Sequence, residues 1–165
     1  MEKLVLHEDP ISGNCYKIKL TAALLGLRME CRSYSVLHGE TRTPQFLNFI
    51  NPNGRIPAIV DHEAGDFPVF ESGAIMIYLA EKAGALMPAD AKGRSRVIQW
   101  LMFQMGGIGP MFGQLGVFTK FAGKDIEDPR PRERYVAESK RLLGVLDRRL
   151  EGRDWIMGSE FTIAD

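Results

Sequence analysis

The stretch "LMPADAKGR" divides the chain into two different sequence periods. Ahead of it, short apolar runs alternate with amphipathic ones. Beyond it, only helical spacing is found. A chain that changes period in this way is expected to fold as a small α/β region followed by an all-α region. "KLVLH" reads as a first strand, and Ile18, Thr21, Ala22 and Leu25 then follow helical spacing up to a C-capping Gly26. "MECRSYSV" alternates as a second strand, and "TPQFLNFI" suggests a short helix from about Pro44. "NPNGR" is a turn, "IPAIVD" a third strand, and "FPVF" a fourth after the turn at Ala64 to Asp66. "ESGAIMIYLAEKAG" is a helix with Ser72 as expected N-cap and Gly84 as C-cap. The order is therefore βαβ, then α, then ββα.

After the divide, one helix starts near Arg94 and runs through Trp100, with "GGIGP" expected to interrupt it. A loop follows near "GKDIEDPRPR", and a long helix spans about Arg132 to Leu150. The expected organisation is an α/β domain over residues 1–84, a linker over 85–93 and a helical domain over 94–165.

Bulk properties exclude several classes. A net charge of zero and a pI near 6.8 give no electrostatic case for nucleic acid or an anionic membrane. The apolar part of "MEKLVLHEDP" is too short for a signal peptide, and "AIMIYLA" is far too short to span a bilayer. The two cysteines lack C-x-x-C spacing, and His7, His38 and His62 show no metal-ligand spacing. The chain reads as a reduced, cytoplasmic protein without a metal.

Three junctions carry chemistry. In "NGRIPAIV" a proline opens a strand. If the Ile56–Pro57 bond is cis, the N–H and C=O of Ile56 turn outward and pair with an extended ligand; if it is trans, the proline marks an ordinary edge. In "FESGA" the first N–H groups of a helix carry the positive end of its dipole and suit a carboxylate, while Glu71 suits an ammonium group. Simple capping by Ser72 is the commoner use of such residues. In "SGNC" a strand again gives way to a helix, and Ser12, Asn14 or Cys15 could serve a thiolate there or merely cap and pack.

These junctions occur together, in this order, and the sequence resembles the cytosolic glutathione transferases over essentially its whole length. "NPNGRIPAIVD" and "FESGAIMIYLAEK" carry the resemblance, "WLMFQMGGIGPMFGQ" is similar to the bacterial nu-class and theta-like branch, and "GSEFTIAD" is similar to the family's capping box at Thr162 and Asp165. The resemblance implies a thioredoxin-like first domain with a mixed four-stranded sheet, and a helical second domain that is incomplete here because the box at Thr162 should launch a further helix. It implies glutathione as co-substrate, a homodimer, a role in detoxification, and a small electrophile, peroxide or disulfide as second substrate. Ile56 before a cis Pro57 would hold the cysteinyl backbone. Glu71 and Ser72 would hold the γ-glutamyl ammonium and carboxylate, and Arg55, with Arg42 as a weaker candidate, the glycyl carboxylate.

For the group that keeps the glutathione thiol ionised, the resemblance prefers Ser12, which stands six residues before Ile18 as the family's activating serine does. Asn14 is second, and Cys15 falls outside that position. His7, where other branches carry a tyrosine, excludes the tyrosine-using mechanism. Phe103, Gln104, Met111 and Phe112 are weak candidates for the second substrate's pocket, since a Met- and Phe-rich helix is more often core. The implied activity is that of a glutathione transferase. The alternatives are a glutathione-dependent disulfide reductase and a non-catalytic interaction module.

Overall fold

The computed structural model describes residues 3–165. Its chain divides into two compact units, Met1–Met87 and Pro88–Asp165.

The first unit holds β1 (Leu4–Glu8), α1 (Gly13–Leu24), β2 (Glu30–Ser33), α2 (Pro44–Phe49), β3 (Ala58–Asp61), β4 (Phe67–Phe70) and α3 (Ser72–Ala83). The four strands form one mixed sheet in the order β2-β1-β3-β4, with β1 parallel to β2 and antiparallel to β3. This is the thioredoxin-like arrangement.

Side-chain alternation along β1 sets the layers. Glu8 meets Lys19 of α1 at 2.7 Å, so Leu4, Leu6 and Glu8 face α1. His7 packs edge-on against Phe46 of α2 at 6.1 Å between centroids, so Val5 and His7 face α2. β1 is accordingly buried along its whole length, and Leu6, Ile18, Ile59, Ile75 and Leu79 are closed to solvent. The edge strands are mostly exposed, and Pro68 sits in one of them, where its missing N–H is least disruptive. α1 ends in a Schellman turn: Leu27 N–H bonds Ala22 C=O at 2.9 Å and Gly26 N–H bonds Ala23 C=O at 3.1 Å, with Gly26 at φ 68°.

β2 is shorter than the alternating "MECRSYSV" suggested. Ser35 N–H turns to Glu40 Oε2 at 2.6 Å, and Ser35 Oγ bonds His38 Nδ1 at 2.9 Å. These local bonds divert the chain into turns before the strand period is exhausted.

Two polar groups are buried with partners. Burial pushes the Asp61 carboxyl up, but bonds from Lys82 (2.8 Å) and Tyr78 (2.7 Å) outweigh it and hold it below the usual carboxylate range. His7 is the reverse case: burial, aided by the Arg32 charge, lowers it to about 4. Its Nδ1 bonds the Tyr34 hydroxyl at 2.9 Å, so the neutral ring is already satisfied.

The second unit holds α4 (Ala91–Phe103), α5 (Gly109–Lys120) and α6 (Arg130–Leu150). "GGIGP" does not break the helix as expected. Residues Gln104–Ile108 form a π-helical turn that passes directly into α5. The wider turn accommodates Pro110, which has no N–H to give, and it leaves a bare backbone at Gly107, where an added Cβ would lie 3.2 Å from Leu142 Cδ2 of α6. Near the C-terminus Asp165 Oδ2 accepts from the Thr162 N–H at 2.9 Å, while Ala164 N–H bonds Thr162 Oγ1 at 3.2 Å. Among the described residues no helix is long and apolar enough to cross a membrane.

The lowered pKa of His7 has a defined pH consequence. The unfolded chain takes up the proton near 6.5 and the folded one only near 4. His7 therefore contributes its full stability above the higher value, and that contribution is lost as pH falls between the two, by roughly 3 kcal/mol at most. Urea unfolding at neutral pH and at the acid end of that window should show the loss, and His7→Asn should flatten the slope relative to the native protein. Parallel pH profiles for the two would contradict this.

Candidate functional site

The strand register carries three chain junctions to one end of the sheet. His7 of β1 pairs with Ala58 of β3, and Ala58 with Phe70 of β4. The loop from β1 into α1, the Ile56–Pro57 pair before β3 and the Glu71–Ser72 pair after β4 therefore leave the sheet side by side. With about 4.8 Å between neighbouring strands, the three span roughly 10 Å. Two helices, α1 and α3, start there, so two positive dipole ends meet at the same place.

At the first junction Ser12 caps α1. Its Oγ accepts from Cys15 N–H at 3.4 Å, a long bond, and its C=O accepts from Tyr16 N–H at 2.9 Å. The cap uses a lone pair of the hydroxyl and not its O–H, so capping by itself does not exclude service to an anion. Asn14 is exposed in the first turn of α1. Cys15 is fully buried; burial pushes its thiol up, and the Asp9 backbone and Ser12 hydroxyl offset this only in part. Cys15 is thus a neutral packing thiol. Cys31 is exposed, but burial of its sulfur and the Glu8 carboxylate raise it as well.

At the second junction the Ile56–Pro57 bond is cis. Among the described residues the N–H and C=O of Ile56 meet no hydrogen-bond partner. The turn before it is closed by Asn51, whose Nδ2 donates to Arg55 C=O at 2.8 Å and whose Oδ1 accepts from Asn53 N–H at 2.9 Å. Gly54 lies at φ 62°, and an added Cβ would meet Arg42 Cδ at 3.0 Å and Thr41 O at 3.1 Å. Arg42 is therefore laid against the same turn that carries Arg55, and both side chains are exposed.

At the third junction the expected cap is displaced by one residue. Glu71 is the N-cap, without a side-chain cap bond, and Ser72 is the first helical residue. The cause is the Glu71 backbone, at φ 67° and ψ 117°, which swings the chain out of β4 in one step. A non-glycine residue at such an angle is strained and persists only where its surroundings hold it. Ser72 and Gly73 are buried, and their N–H groups precede the first intrahelical bond, Ile75 N–H to Glu71 C=O at 2.9 Å. The exposed Glu71 carboxylate raises the pKa of Lys17 on α1, against the stronger lowering by burial.

Sequence reasoning named the residues at these junctions but missed Asn51, visible only as part of a turn motif, and the strained Glu71 backbone, for which the sequence carries no signal. In the helical unit, Phe103 and Gln104 line a cavity of about 370 Å³ with Trp100, Ile108 and Leu146, while Met111 and Phe112 lie outside that lining. Among the described residues no group of three His, Cys, Asp or Glu side chains could hold a metal ion.

Residues 9–81 match the family profile described as glutathione S-transferase, N-terminal domain. Glutathione S-transferase 1 of Schizosaccharomyces pombe is 37% identical over 169 residues, covering all of this chain and 72% of that protein. The chain belongs to the glutathione transferase family. A solved glutathione transferase family member from Pseudomonas fluorescens pf-5, with two glutathione bound, superposes with TM-score 0.93 at 53% identity, over 99% of this chain and 73% of that one. Disulfide-bond oxidoreductase YfcG of Escherichia coli is 46% identical over 126 residues, 74% of this chain. The chain spans 57% of the length of that relative. The three junctions and strands β2, β3 and β4 thus lie within the residues that the transferase profile matches.

Gly54→Ala tests the turn. The Cβ would meet Arg42 and Thr41 at a left-handed backbone angle, so a loss of about 1–3 kcal/mol is expected in urea unfolding. Native-like stability would show that the turn yields freely.

Proposed function

We propose that this end of the sheet binds glutathione and keeps its thiol ionised for attack on a small electrophile. The supporting observation is the meeting of two helix starts with the unpartnered Ile56 backbone between them. The γ-glutamyl carboxylate would take the first N–H groups of α3 at Ser72 and Gly73, and the ammonium group the Glu71 carboxylate. The cysteinyl backbone would pair with Ile56 beside Pro57 as an added strand does. The glycyl carboxylate would meet Arg55, with Arg42 alongside.

The sulfur would then lie at the start of α1. Lowering a thiol pKa by two units requires about 2.7 kcal/mol of preference for the thiolate. A hydroxyl donor and a helix N-terminus together supply that order of energy. Ser12 is the favoured donor because capping the helix takes its lone pair and not its O–H; Asn14 is the second candidate. In the transfer, the thiolate sulfur bonds the electrophilic carbon and the leaving group departs with the bonding pair.

A second reading, disulfide reduction, draws on the likeness to an E. coli disulfide-bond oxidoreductase and to a neighbour holding two glutathione. One glutathione thiolate attacks a substrate disulfide, forming a mixed disulfide and releasing a thiolate. A second glutathione then attacks the glutathione sulfur of that mixed disulfide, giving glutathione disulfide and the second substrate thiolate. No protein thiol takes part, in keeping with the raised pKa of both Cys15 and Cys31.

Ser12→Ala should raise the thiol pKa of bound glutathione by about one unit or more while S-methylglutathione binds within about twofold of native. Thiolate absorbance and calorimetry read the two. An unchanged thiol pKa removes Ser12 from the role and passes it to Asn14. For the reductase reading, Cys15→Ala with Cys31→Ser should retain turnover within about twofold, whereas its abolition would require a protein thiol.

A further inference from the structure

Asn51 is 2% exposed and its hydrogen bonds close the turn before Pro57. Its backbone N–H bonds Phe46 C=O of α2 at 3.0 Å, and its C=O accepts from Gly54 N–H at 2.9 Å. Its Oδ1 takes the Asn53 N–H at 2.9 Å. These three bonds hold the turn to itself and to α2. The fourth does something different: Nδ2 donates to Arg55 C=O at 2.8 Å.

Arg55 C=O and Ile56 N–H belong to one peptide unit. That unit is trans and planar, so its C=O and N–H point in opposite directions. Drawing the carbonyl inward to the buried Asn51 amide therefore turns the Ile56 N–H outward, away from the turn. Rotation of this plane would leave the buried Asn51 amide without its acceptor, a costly arrangement. The outward N–H meets no partner among the described residues, as a donor kept for a ligand would.

We propose that Asn51 is a positioning residue that fixes the Arg55–Ile56 peptide plane and so aims the Ile56 N–H at the cysteinyl backbone of glutathione. The inference rests on the glutathione reading of the site. It assigns the Asn51 side chain a role in ligand recognition that its own burial conceals.

Asn51→Asp separates aiming from turn closure. The side chain keeps its size and the acceptor for Asn53 N–H, and the two backbone bonds persist. Only the donor to Arg55 C=O is lost, replaced by an oxygen that repels it. S-methylglutathione is the probe, since its binding does not depend on thiol ionisation. Calorimetry on the full chain at pH about 8, where the new carboxyl ionises, should show affinity reduced about tenfold or more at unchanged stoichiometry. A merely structural role would instead lower the fraction of binding-competent protein and leave its affinity alone. Native-like affinity in Asn51→Asp overturns the proposal while native binding keeps the glutathione reading intact. Failure of the native protein to bind removes that reading, and the proposal with it. A measurement without any variant covers a failure to fold: in the native protein the Ile56 amide proton should shift downfield on adding S-methylglutathione, and an unmoved Ile56 amide overturns the proposal.

Discussion

The antiparallel register of β1, β3 and β4 is the constraint on which the site depends. Because His7, Ala58 and Phe70 lie in one row, three segments far apart in sequence leave the sheet together. A slip of one residue would turn every side chain of a strand to the other face. Leu6 would then face α2 and His7 would face α1, so the buried faces of β1 resist the slip. The same packing that makes the core thus fixes where the helix starts and the Ile56 backbone meet.

Polar burial in this unit is managed so that the functional end is left free to act. Asp61 is charged and paired with Lys82 and Tyr78. His7 is neutral and bonded to Tyr34. Both cysteines are held as thiols. What remains exposed at the site is the Glu71 carboxylate, the cations Arg42 and Arg55, and Asn14 in the first turn of α1, with Ser12 half-buried beside it. The proposed ligand, a glutathione thiolate, carries the complementary groups: a zwitterionic head, an extended backbone and two anionic ends.

Much of this was legible in the sequence, because the informative signals were local. "KLVLH" and "IPAIVD" carry continuous apolar runs, and β1 and β3 are the strands buried on both faces. The residues at the three junctions were also legible, since Ser12 and Ser72 mark strand-to-helix changes and Pro57 marks the start of a strand. Choices that depend on the folded geometry were not. Ser35 and Glu40 ended β2 early through side-chain bonds to the backbone. The glycines before Pro110 read as a break, yet they form a π-helical turn against Leu142. The Glu71 backbone angle and the Asn51 amide bond depend on tertiary closure of their turns, which no spacing of residue types reveals.

The central claim is that glutathione lies across the three junctions with its sulfur at the start of α1. A crystal structure of the chain with glutathione bound tests it most directly. The account predicts the γ-glutamyl carboxylate on the first N–H groups of α3, the cysteinyl backbone on Ile56, and the sulfur within hydrogen-bond reach of Ser12 or Asn14. Glutathione seated elsewhere, or with its sulfur turned away from α1, would contradict it.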